Sequence, residues 1–117
     1  MKTTSWKIQN EVDVKNLSWD HVDFDRSVLL TFGNVNDDFD VVRKISKQYP
    51  KLKIIGSSAA YVIEEDNVSE CQVFSLIEFE KSKTHVGFID INNYEDSFNV
   101  GELLWKRTSS IKDVRNV

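Results

Sequence analysis

The fold is decided by two stretches of the chain, Ser27-Val-Leu-Leu-Thr-Phe-Gly33 and Lys51-Leu-Lys-Ile-Ile-Gly56. The first is a continuous apolar run closed by Gly33, which is typical of a strand buried on both faces. The second, Lys51–Ile55, is a further apolar strand that ends at Gly56. Between them the apolar side chains recur at helical spacing, at Phe39, Val42, Ile45 and Tyr49. A strand, a helix and a second strand within about thirty residues predict a right-handed βαβ crossover with parallel strands.

The ends of that helix have recognisable signals. Asp37 or Asp38 is the expected N-cap, because a short carboxylate accepts the free N–H groups of the first helical turn. Lys44 and Lys47 suit the last turn and its dipole, and Pro50 ends the helix.

The remaining elements complete a mixed sheet. Residues 3–8 are β-prone and predict a short edge strand, and residues 72–79 and 85–91 predict an antiparallel hairpin. A C-terminal helix is expected over about residues 97–110, capped by Asp96 or Ser97. The predicted fold class is α/β with a mixed sheet: a βαβ unit, then an antiparallel hairpin and a C-terminal helix.

Composition limits the classes of function. A length of 117 residues fits a single domain over 1–117, and 40% hydrophobic residues are enough for a core. The net charge is −4 with lysine and arginine scattered, which argues against a nucleic-acid partner or an anionic membrane surface. With no signal-peptide pattern and no long apolar run, we expect a cytoplasmic protein.

The first candidate site is the end of the second strand, at Gly56, Ser57 and Ser58. In open α/β sheets ligands bind beyond the carboxyl ends of parallel strands, where a glycine lets the backbone approach and hydroxyls donate hydrogen bonds. The alternative is a tight strand exit with small residues chosen for close packing. The second candidate, Thr31-Phe32-Gly33-Asn34, ends the neighbouring strand and would form the other rim of a shared pocket, or merely a glycine turn into the helix.

No catalytic or metal-binding pattern stands out. Cys71 is the one cysteine, and nothing in the sequence places it beside His21 or His85. The acid-rich stretch Asp20-His-Val-Asp-Phe-Asp25 has metal-binding residue types, but a solvated loop is the stronger interpretation. We therefore expect a non-enzymatic protein with no metal and no cofactor.

The order of these features resembles the N-terminal FIST domain, a predicted sensory input domain of bacterial signal-transduction proteins. The resemblance covers about residues 25–110. The matching positions are Ile55, Gly56, Ser57, Ser58, Ala60 and Ile63, whereas Ala59, Tyr61 and Val62 stand where the family usually has Thr, Gly and Glu. The resemblance implies a domain that binds small ligands such as amino acids and signals to a partner protein or a second FIST-type domain.

The preferred prediction is thus a small-ligand sensing or regulatory domain in intracellular signal transduction. Its candidate ligand-binding residues are Gly33, Asn34, Gly56, Ser57, Ser58 and Tyr61. The alternative is a protein-interaction module that acts through a sheet edge or the surfaces around Trp6, Trp19 and Trp105. Exposed tryptophans would favour the interaction module and buried ones the sensor. Self-association of the chain is a further expectation.

Overall fold

A computed structural model describes residues 1–8, 17–33, 35–58, 62–64, 67–69, 72–90, 92 and 96–111. The strands are β1 (Lys2–Ile8), β2 (Ser27–Gly33), β3 (Ile54–Ser58), β4 (Val62–Glu64), β5 (Asn67–Ser69) and β6 (Gln72–Glu78). The helices are α1 (Val35–Gln48) and α2 (Ser97–Ser109), and a 3₁₀ turn at Phe24–Arg26 precedes β2. The chain divides into two compact units, Met1–Val86 and Gly87–Val117.

Four strands of the first unit form a mixed sheet in the order β1-β6-β2-β3. Strands β2 and β3 are parallel and are joined through α1, which confirms the predicted βαβ unit. Strand β6 pairs antiparallel with both β1 and β2, and β1 lies at the edge as expected. The predicted mixed-sheet fold class is confirmed.

The prediction that residues 85–91 form the second strand of a hairpin is wrong, because residues 85–90 are not part of any strand. The reason is competition for the edges of β6. Both are already occupied, one by β1 and the other by β2. The antiparallel hairpin that does follow the βαβ unit is formed by β4 and β5.

The core lies on one face of the sheet. Alternate residues of β2 and β6, such as Leu29, Phe74 and Leu76, face it and are buried together with Ile45 of α1. Trp19 closes this core from the loop before β2, and its side chain is 2% exposed. The core therefore joins α1, the sheet and that loop in one cluster.

The helix ends differ in how well they were predicted. α1 begins at Val35, so Asp37 and Asp38 lie inside its first turn and the prediction that one of them is the N-cap is wrong. In the second unit, the Asp96 carboxylate accepts the backbone N–H of Asn99 at 2.9 Å, which confirms Asp96 as the cap of α2. Arg107 of α2 donates to the Phe88 carbonyl at 2.7 Å and ties the preceding segment to the helix.

Candidate functional site

The carboxyl ends of β2 and β3 lie side by side, as the sequence predicted. The parallel register places Gly33 beside Ser58, Phe32 beside Ser57 and Thr31 beside Gly56. α1 begins at Val35, so a helix N-terminus follows the end of β2. We call this corner, formed by Gly33, Ser57 and Ser58, the strand-end corner.

Gly56 is explained by packing within the sheet. A Cβ atom built on Gly56 would overlap the hydroxyl of Thr31, and would lie 3.0 Å from the Thr31 carbonyl oxygen and 3.4 Å from its Cβ. Thr31 is itself buried on the core face of β2. The glycine lets two neighbouring strands pair around a threonine side chain, so close packing accounts for it without a ligand.

The polar atoms of the corner come from Ser57 and Ser58, whose side chains are exposed. The Ser57 hydroxyl donates to the Ser58 carbonyl at 3.3 Å, a weak contact that leaves its oxygen accessible as an acceptor. Gly33 is buried. Two of the predicted ligand-binding residues, Asn34 and Tyr61, lie outside the described residues.

The opposite face of the sheet carries apolar side chains that the sequence analysis had expected to be buried. Phe32 and Ile55 are both exposed, and Ile55 is 48% exposed. The parallel register puts both of them on the face away from Thr31, since alternate residues of a strand point to opposite faces. We call this the open face. Thr31 and Ile55 belong to the stretches that the sequence singled out, but it did not show that Thr31 packs against Gly56 or that Ile55 is exposed.

Among the described residues, the other candidate chemistries do not assemble. His85 is exposed, and Cys71 lies outside the described residues. In the acidic loop, Asp23 accepts the backbone N–H of Asp25 at 3.0 Å and lies 3.6 Å from the Arg26 guanidinium, so it caps the 3₁₀ turn. Within the described ranges, no cluster of three or more His, Cys, Asp or Glu side chains could hold a metal ion. Across the same ranges, no helix is long and apolar enough to cross a membrane.

The three tryptophans divide between core and surface. Trp19 is buried, and half-buried Trp6 packs against it with ring centroids 5.5 Å apart. Trp105, on α2, is 71% exposed. The first two therefore stabilise the core, and Trp105 is the tryptophan that a partner could reach.

No family model, no curated protein and no solved structure matches this chain.

Proposed function

We propose that this chain is a non-catalytic sensing domain of intracellular signal transduction, which binds a small polar ligand such as an amino acid at the strand-end corner. The observation that carries the proposal is the pairing of Gly33 with Ser58, which brings the ends of both parallel strands to one point. This is where ligands bind in open α/β sheets. The sequence resemblance to the N-terminal FIST domain supports the same class of function and suggests a signalling protein or a second FIST-type domain as partner.

The chemistry of the corner suits a carboxylate. The exposed hydroxyl of Ser58, on the same face of the sheet as Thr31, can donate a hydrogen bond to one of its oxygens, whereas Ser57 points to the other face and already donates to the Ser58 carbonyl. The first N–H groups of α1 have no intrahelical partner and can donate hydrogen bonds. A carboxylate at this position would therefore meet backbone and side-chain donors together.

A thermal-shift screen tests the ligand proposal. We expect one or more amino acids or small carboxylates to stabilise the wild-type chain by ~2.7 kcal/mol when present at about 100 times their dissociation constant. The stabilisation should be lost in the Ser57→Ala/Ser58→Ala double variant, because the Ser58 hydroxyl donor is removed. Calorimetric titration of the same ligand then gives its affinity for the wild-type chain and for the double variant.

Ser46→Ala is the matched control, since Ser46 is also an exposed serine but lies in the last part of α1. Ligand stabilisation should be unchanged in this variant. If no amino acid or small carboxylate stabilises the wild-type chain, or if the double variant binds as well as wild type, the ligand proposal is wrong. Gly56 variants are unsuitable for this purpose because they disturb the packing against Thr31.

A second function, protein recognition through α2, is favoured by a separate observation. Phe98 and Trp105 are 72% and 71% exposed, and their spacing of seven residues puts them on one side of the helix. Gly101 lies between them, and a Cβ built there would meet no described atom within 4 Å outside the backbone of its own helix. A glycine inside a helix costs about 1 kcal/mol relative to alanine. This surface, formed by Phe98, Gly101 and Trp105, we call the aromatic face.

The fluorescence of Trp105 gives a direct measurement on this face. Because Trp19 is buried and Trp6 half-buried, acrylamide should quench mainly Trp105. Candidate signalling proteins from the native source that bind the full chain should reduce this quenching, and Phe98→Ala should weaken their binding. A partner that binds Phe98→Ala as tightly as wild type and leaves the quenching unchanged would show that the aromatic face is not its site.

A further inference from the structure

β3 is an edge strand, and its outer side has no described partner strand. It is the last strand of the sheet order. Its residues from Ile55 to Ser58 are all exposed. An edge strand of this kind presents backbone N–H and C=O groups that can pair with another strand.

The ladder to β2 shows which backbone groups point outward. The Leu29 N–H donates to the Lys53 carbonyl at 2.9 Å, so Lys53 directs its backbone toward β2. Along a strand the direction of these groups alternates from one residue to the next. Ile54, Gly56 and Ser58 therefore direct their N–H and C=O groups away from the sheet.

The two edges of the sheet differ in charge. β1, at the far edge, carries Lys2 and Lys7, and both side chains are exposed. Lysines on an edge strand oppose pairing with other strands, because a second chain would have to desolvate or displace them. β3 contains no charged residue between Ile54 and Ser58. The sheet is thus protected at one edge and unprotected at the other.

We propose that β3 pairs antiparallel with β3 of a second copy of this chain, about a two-fold axis through Gly56. In this arrangement Gly56 faces the same residue of the other copy, and Ile54 faces Ser58. All three are the outward-directed residues, so each pair can exchange both of its backbone hydrogen bonds. The inference goes beyond the proposed ligand site, since it uses the outer backbone of β3 in the absence of ligand.

The side chains favour a second copy as the occupant. With Gly56 on the axis, Ile55 faces Ser57 across the interface, and the two copies of Ile55 are diagonal neighbours on the open face. Diagonal side chains on paired strands lie about 7–8 Å apart, within reach of long side chains. No like charges meet, and the exposed Phe32 and Ile55 of both copies become one continuous apolar surface.

This arrangement forms a dimer and does not extend to larger assemblies. After β3 pairs with its copy, the two outer edges of the joined sheet are both β1, with Lys2 and Lys7 exposed. An isologous contact of this type closes on itself and leaves no free complementary surface. Because five-residue strands bury little area, below the range of about 1,200–2,000 Å² that stable interfaces use, the dimer should be weak and concentration-dependent.

Sedimentation equilibrium of the ligand-free full chain over rising concentration tests the proposal. The average mass should rise from 13.6 kDa toward twice that value. Ile55→Lys and Ile55→Asp should each weaken self-association by about tenfold or more, because two like charges would then be diagonal neighbours. Mixing the Lys and Asp variants should restore association, since the diagonal pair then carries opposite charges.

Val86→Lys is the matched control, because Val86 is an aliphatic residue of similar exposure in the same unit, outside β3. It should associate like wild type. A chain that stays monomeric throughout, or a mixture of the Lys and Asp variants that associates no better than either alone, would overturn the proposal. So would equal loss of association in Val86→Lys. None of these results depends on the strand-end corner binding a ligand.

Discussion

Replacing Trp19 with alanine is expected to lower the free energy of unfolding by about 3–5 kcal/mol, the cost typical of truncating a buried aromatic residue. The Trp19 ring is 2% exposed and packs between Trp6 and Tyr49, with centroids at 5.5 and 5.7 Å. Its backbone N–H also donates to the Tyr49 hydroxyl at 3.2 Å. Loss of the ring leaves a cavity at the contact between the loop, the sheet and α1. Urea denaturation followed by far-UV circular dichroism measures the change.

Trp105→Ala provides the control for that experiment. The substitution is chemically identical, but Trp105 is 71% exposed, and surface changes of this type usually alter stability by less than about 0.5 kcal/mol. If both variants lost a similar free energy of unfolding, burial of the Trp19 ring in the core would not explain its contribution to stability. A large effect at Trp105 alone would instead show that the aromatic face is covered within the folded chain.

The sequence predicted the central part of the fold because its signals are local. β2 is an apolar run closed by Gly33, and α1 has helical spacing and ends before Pro50. β3 overlaps the second predicted run, but it begins only at Ile54 and continues through Gly56 to Ser58. The pairing of β6 could not be predicted in this way. Its partner β1 lies about seventy residues earlier, as in the pair Ser5 and Ser75, whose hydroxyls are 2.9 Å apart. Local alternation suggested residues 85–91 as the partner of β6 instead, although both edges of β6 are occupied by β1 and β2.

For the candidate site, the sequence predicted the position but not the role of each residue. Parallel strands place their carboxyl ends together, so the meeting of Gly33 and Ser58 followed from the βαβ unit alone. The function of Gly56 did not follow, because a glycine that admits a ligand and a glycine that admits a neighbouring side chain look identical in sequence. The register with Thr31 decides between them, and register depends on the whole sheet.

Gly56→Ala is accordingly expected to destabilise the chain by about 1–3 kcal/mol, the usual cost of inserting an atom into a packed site. The new methyl would overlap the Thr31 hydroxyl and press on the Thr31 carbonyl. Gly101→Ala is the same substitution with the opposite expectation. Outside the backbone of its own helix, no described atom lies within 4 Å of the added carbon, and alanine is the better helix former by about 1 kcal/mol, so helix α2 should become more stable. Thermal and urea denaturation of both variants measures whether the free energy of unfolding falls in Gly56→Ala and rises in Gly101→Ala.

Combining Gly56→Ala with Thr31→Ala separates two causes of destabilisation. One is steric overlap between the new methyl and the Thr31 hydroxyl, and the other is any cost of alanine at position 56 that does not involve Thr31. Removing the Thr31 hydroxyl takes away the atom that the Gly56→Ala methyl meets first, so the double variant should be more stable than the sum of the single effects predicts. Residues in direct contact commonly show coupling energies of about 0.5–3 kcal/mol, and coupling near the upper end is expected here. Additive effects would mean that Thr31 and Gly56 do not share the space, and the need for glycine at position 56 would then be explained by the ligand that the strand-end corner is proposed to bind.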